Sequence, residues 1–197
     1  MESKKILLAT KNRHKIEELK ALLSPFGWKI VDAPSLPYEI EENGKTFCEN
    51  AIIKARFYAE EYDITALSDD SGLVVDALGG RPGILSSRYG GDDKENRKKL
   101  LEEMKHLRNL NERKAHFVCC IAIATRKGKT YTVEGTCDGY IAFEERGNRG
   151  FGYDPVFMPE GWNKTFAEIP EIKEKISHRA KAVKKAINLL KRIEDEI

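Results

Sequence analysis

Thr65-Ala66-Leu67-Ser68-Asp69-Asp70-Ser71-Gly72-Leu73-Val74-Val75 is the stretch on which the reading of this chain turns. Residues 65–68 form a short buried-strand candidate and 72–75 resume the apolar character, so two adjacent carboxylates are expected to interrupt a core sheet. Neighbouring carboxylates in a compact protein repel, and something cationic must compensate them. Mg²⁺ is the usual candidate, because it prefers oxygen ligands and is held by one or two carboxylates together with substrate phosphates. The competing reading is a turn, since Asp and Ser bond nearby backbone groups and Gly allows positive φ. These residues alone leave both open.

Outward from this stretch, residues 5–9 form a continuous apolar strand, followed by the loop Thr10-Lys11-Asn12-Arg13-His14-Lys15 and a helical face of Ile16, Leu19, Leu22 and Leu23. A second extended piece at 28–31 precedes a Pro-rich stretch and the acidic cluster Glu39, Glu41 and Glu42. Phe47, Ala51, Ile52, Ala55 and Ala59 recur at helical spacing, with Thr46 as cap and Glu49 three residues on, which predicts a helix over about 46–61. Residues 79–83 form a loop, and the Lys/Glu/Leu-rich stretch 92–105 a mostly solvated helix whose charges need no function. Segments 114–126 and 130–138 read as a hairpin, a further short strand is expected at 140–143, and Ile176, Ala180, Val183, Ile187 and Leu190 mark a C-terminal amphipathic helix.

The chain has 197 residues, enough for one folding unit with a sizeable core. Its 34 basic and 32 acidic residues leave a net charge of +2, too balanced for a dedicated nucleic-acid binder, so phosphate binding falls to local patches. No stretch reaches the roughly 18 apolar residues of a membrane span, and the N-terminus leads into only a short apolar strand, so a cytoplasmic location is the default. Cys48, Cys119, Cys120 and Cys137 lack zinc-site spacing, and without a secretion signal they read as reduced packing residues.

Three further groups carry chemistry. Thr10, Asn12 and Lys15 sit between a strand end and a helix start, where backbone N–H groups and the helix dipole favour an anion; a capped helix with exposed lysines accounts for them equally well. Glu41, Glu42, Glu49, Asp69 and Asp70 would form a metal-binding hollow if the fold gathers them, with one carboxylate anchoring the ion and another taking a proton from water. Phe151 and Tyr153, in the glycine-rich run 147–155, offer rings to a base or pack their own loop, while His178 and Arg179 read carbonyl oxygens or lie on a surface helix.

The ordered set Thr10-x-Asn12-x-x-Lys15, Thr46-Phe47-x-Glu49-Asn50-Ala51-x-x-Lys54-Ala55, Asp69-Asp70-Ser71-Gly72-Leu73, Phe151-Gly152-Tyr153-Asp154-Pro155 and Ser177-His178-Arg179 resembles the inosine/xanthosine triphosphate pyrophosphatases over essentially the whole chain. The resemblance implies a single two-lobed domain over 1–197: a mixed α/β fold with an elongated central sheet flanked by helices, and lobes enclosing an active-site cleft. It also implies a homodimer whose partner is a small-molecule nucleotide, with no nucleic acid or membrane. The implied reaction is Mg²⁺-dependent hydrolysis of ITP, dITP and XTP to the monophosphate and pyrophosphate, which cleanses the nucleotide pool. Carried onto matching positions, Thr10, Lys11, Asn12, Arg13, His14 and Lys15, with Lys54, would hold the triphosphate. Glu41 and Asp70 would hold Mg²⁺, Asp70 would act as base, and Asp69 would orient water or a second metal. Ser71 would contact the nucleotide, Phe151, Gly152, Tyr153 and Asp154 would flank base and sugar, and Lys173, His178 and Arg179 would contact the purine. Two departures stand out: Ala180 replaces a frequent Gly, and Cys48 a frequent aliphatic residue.

Overall fold

A computed structural model describes residues 5–37 and 40–197; Met1 to Lys4 and the acidic residue Glu39 lie outside it. Among the described residues six strands form one mixed sheet in the order β2-β1-β3-β4-β5-β6, with β1 Lys5–Leu8, β2 Lys29–Asp32, β3 Ala66–Val75, β4 Lys114–Ala124, β5 Thr130–Ile141 and β6 Phe157–Pro159. Strand β1 runs parallel to both β2 and β3, whereas β5 and β6 are antiparallel. Among the described residues five α-helices accompany them: α1 Arg13–Leu23, α2 Phe47–Tyr62, α3 Asp93–Glu103, α4 Pro170–Ile176 and α5 His178–Arg192. The α/β class implied by the resemblance is the class observed.

The chain divides into two compact units, and β3, β4 and β5 each contribute residues to both. The first comprises Met1–Asp70, Cys119–Gly135 and Ala180–Ile197. Because side chains alternate along a strand, Ile6 and Leu8 pack with Leu19, Leu23, Val183, Ile187 and Leu190 of α1 and α5, while Leu7 and Ala9 pack with Ala51, Ala55 and Tyr58 of α2. Each fully buried Leu or Ile contributes about 1.5–3 kcal/mol relative to exposure. The small side chains of α2 meet Ala66, Ala122 and Ala124 in the same cluster.

The second unit comprises Ser71–Val118 and Thr136–Arg179. Its core gathers Leu73, Val75, Leu100, Met104, Phe117, Ile141, Phe157 and Phe166, with Phe117 and Phe157 centroids 4.6 Å apart. Arg113 is 1% exposed and donates to the carbonyls of Ile141, Met104, Leu107 and Ala142, so its buried guanidinium is met by backbone acceptors.

Four expectations change. Strand β3 runs unbroken through Asp69 and Asp70, so the carboxylates neither interrupt the sheet nor form a turn. Residues 140–141 close β5, and there is no separate strand at 140–143. The C-terminal stripe is split into α4 and α5 by Ser177, whose backbone is extended. Finally, Cys48 and Cys120 form a disulfide with Cα atoms 5.1 Å apart, because helix α2 and strand β4 bring together two residues that spacing alone could not pair. Cys119 and Cys137 remain thiols, buried as expected.

Candidate active site

Phosphate-binding candidates cluster in the first unit. The amide of Ala9 bonds to the carbonyl of Leu67, which brings the loop after β1 alongside the acidic part of β3. Asn12 caps α1 by accepting from the Lys15 amide at 3.2 Å, and Thr10 Oγ1 accepts from the Asn12 amide. The first turn of α1 holds no acidic residue; it carries Arg13, His14 and Lys15 against the positive end of the helix dipole, an arrangement that an anion would relieve. Lys11, Arg13 and His14 are exposed.

Asp69 and Asp70 leave opposite faces of β3. Asp69 is fully buried and its Oδ2 lies 3.2 Å from Lys15 Nζ on the α1 side. Asp70 faces α2, with Lys54 Nζ 3.7 Å from its Oδ1 and the Asn50 carboxamide donating to its Oδ2 at 3.3 Å. Lys54 lies closer to Glu42, at 3.0 Å. Asn50 also accepts from the Gly44 amide at 2.8 Å, and a side chain at Gly44 would begin 2.6 Å from that same oxygen. Asn50 thus ties the acidic loop to Asp70, a role that its place in the helix motif did not disclose.

Burial pushes the Asp70 carboxyl above its ordinary value of 3.8, and Glu42 and Asp69 add to this against the pull of Lys54 and Lys15. For Lys54, burial works against the charge, yet Asp70, Glu42 and Asp69 together raise it above 10.5. The five expected acids do not form one hollow. Glu41 is exposed, Glu49 accepts from the Lys45 amide, and Asp69 sits across the strand from Asp70. Among the described residues no three acidic, His or Cys side chains converge as a ready-made metal cage. A Mg²⁺ held largely by substrate oxygens needs no such cage, and Asp70 and Glu42, already sharing one cation in Lys54, are a chemically fitting donor pair.

The second unit gathers the base-reading candidates. Buried Asp154 accepts from the Phe151 amide at 2.9 Å and from Lys173 Nζ at 2.7 Å. The Lys173 ammonium lies 4.6 Å from the Phe151 ring centroid and the Arg179 guanidinium carbon 5.9 Å from it, both within or near cation–π range. Arg179 donates to Ser71 Oγ at 2.8 Å, and His178 stacks on Phe117 with centroids 4.5 Å apart. The Tyr153 hydroxyl donates to the Ser86 carbonyl, and its ring packs into the core of the second unit. Gly150, at φ +80°, is required: a Cβ there would clash with the Asp154 carboxylate. Ser71, Phe151, Gly152, Asp154, Lys173 and Arg179 are therefore brought together by the fold, and so are Thr10, Asn12 and Lys15.

The family model described as the Ham1 family matches residues 6–189. The chain belongs to the Ham1 family. Among similar proteins, the dITP/XTP pyrophosphatase of Bacillus licheniformis is 47% identical over 193 residues, covering 95% of this chain and 98% of that protein. The dITP/XTP pyrophosphatase of Campylobacter jejuni is 47% identical over 196 residues, covering 95% and 97%. Among solved structures, the Staphylococcus aureus Ham1 protein superimposes with a TM-score of 0.84 at 37% identity, covering 96% of this chain and 99% of that one.

Proposed function

We propose that this chain is a nucleoside triphosphate pyrophosphatase that hydrolyses ITP, dITP and XTP to the monophosphate and pyrophosphate, and so removes these nucleotides from the cellular pool. The observation that carries the reading is the environment of Asp70: a partly accessible carboxylate, raised in pKa by burial, beside Lys54 and on the neighbouring strand to the Thr10–Lys15 loop. The names of relatives covered almost end to end support the same reaction.

In this mechanism Thr10, Asn12 and Lys15 donate to phosphate oxygens with help from the α1 N-terminus, and Lys54 neutralises a further oxygen. Asp70 accepts the proton of the attacking water, a task for which a raised pKa makes it a better base. Mg²⁺, when bound, would be held by Asp70 with an acid of the Glu41–Glu42 pair and would offset charge on the transferring phosphoryl group. Lys173 and Arg179 donate to the 6-oxo group, an acceptor where adenine presents an amine. Guanine shares that oxygen, so its rejection falls to the 2-position, where leaving a buried polar group unsatisfied costs about 1–3 kcal/mol. The working form is a homodimer. Product analysis with dITP and Mg²⁺ tests the reading: dIMP plus pyrophosphate is expected, and dIDP plus orthophosphate overturns it.

A further inference from the structure

The helix read from sequence as a solvated charge run holds the base loop by its backbone. Asp92 caps α3 by accepting from the Glu95 amide, so the next carboxylate, Asp93, is available for another partner. Asp93 Oδ2 accepts from the Gly152 amide at 2.8 Å. One turn on, Arg97 Nη1 donates to the Gly152 carbonyl at 2.9 Å, and its Nε lies 3.0 Å from Glu145. Both backbone groups of one glycine are thus bonded by two side chains of one helix, 59 and 55 residues away.

Gly152 follows Phe151, the ring set over Lys173 and Arg179, and adopts φ +58° within a run rich in glycine. Such a segment has large conformational freedom to lose, and an unheld Gly152 would let the Phe151 ring wander from its cations. Helix α3 does not need these two side chains for its own seat. Leu100 and Met104 are fully buried, and Asn96 bonds to the amides of Gly90 and Gly91 and to the Ser87 carbonyl.

We infer that Asp93 and Arg97 are positioning residues for nucleobase recognition, clamping Gly152 so that Phe151 and Asp154 present a preformed surface to the purine. The inference rests on the proposed pyrophosphatase reading, from which its test is kept separable. Asp93→Ala and Asp93→Asn are compared with wild type in four measurements: hydrogen exchange of the amides at 147–155, kcat and KM for dITP, affinity for IMP, and affinity for pyrophosphate. The alanine variant should exchange these amides about tenfold faster, and raise KM for dITP and Kd for IMP by about tenfold, the size of one lost charged hydrogen bond. Its kcat and its affinity for pyrophosphate, which lacks a base, should change by less than about twofold. The asparagine variant keeps an acceptor for the Gly152 amide and should recover most of the loss; Arg97→Ala should repeat the pattern of Asp93→Ala.

Unchanged exchange at 147–155 in Asp93→Ala overturns the clamp whatever the activity. So does an equal loss of IMP and pyrophosphate affinity that asparagine does not rescue, since that marks a general structural role. A wild-type protein that releases no pyrophosphate from dITP would instead overturn the pyrophosphatase reading, and the exchange measurement would still decide the clamp.

Discussion

Replacing Lys15 with methionine removes the ammonium that lies 3.2 Å from the Asp69 carboxylate, a group with no solvent exposure, while Lys15 itself keeps 15%. At that distance and an effective dielectric of about 20 the attraction is about 5 kcal/mol before desolvation. Removing one partner of a buried pair typically costs about 3–5 kcal/mol, and the partial exposure of Lys15 places this pair near about 3. For a chain of this length that corresponds to a fall in Tm of about 6–12 °C. Urea denaturation of Lys15→Met, Asp69→Asn and the double variant, in chelator and without phosphate, gives the pairwise coupling directly. The double variant should be more stable than Lys15→Met alone, because the uncompensated charge is gone. A Lys15→Met cost below about 0.5 kcal/mol, or two strictly additive substitutions, would refute the claim that this pair is coupled in the folded protein.

Asp70→Asn should abolish dITP turnover and yet raise the apo protein's resistance to urea at pH 7. The folded-state pKa of Asp70 lies above its ordinary 3.8, so ionisation costs stability above the folded value and costs nothing below 3.8; the gap between variant and wild type should therefore close as pH falls through that window. A gap that widens on acidification reverses the sign and rejects the assignment. Reduction of the Cys48–Cys120 disulfide, which joins residues 72 apart, should lower stability by up to about 4 kcal/mol on the chain-entropy account. Melting curves with and without dithiothreitol read this, and identical curves would show that the link contributes nothing.

What the sequence disclosed about fold and site was mostly local. Thr46 and Asn12 were legible as helix caps because each bonds an amide three residues on in its own chain. The hydrophobic stripe of α5 was legible for the same reason, as every member repeats at helical spacing. What stayed hidden depends on separations no local pattern encodes. Cys48 pairs with Cys120 only because α2 lies over β4, and Asp93 and Arg97, spaced like an ordinary surface ion pair, both bond the backbone of Gly152, with Arg97 also beside Glu145. Arg113 follows a polar run that carries no sign of its burial among carbonyls. The opposed directions of Asp69 and Asp70 were within reach, since alternation along a strand demands them once the strand is known to continue.

That opposition also explains why two adjacent carboxylates need not do the same work. Asp69, with no exposed surface and Lys15 close by, has its charge compensated and lacks direct access to water. Asp70 retains 14% exposure, and the lysine beside it leans toward Glu42, at 3.0 Å, more than toward Asp70, at 3.7 Å. A tight ion pair would have drawn the Asp70 pKa down and left a weak base; the looser contact lets burial prevail. Asn50 holds that arrangement by donating to Asp70 while accepting from the Gly44 amide of the acidic loop. The same Lys54 keeps Glu42 and Asp70 from repelling each other in the resting protein, and under the proposed mechanism it is the cation that substrate would take over.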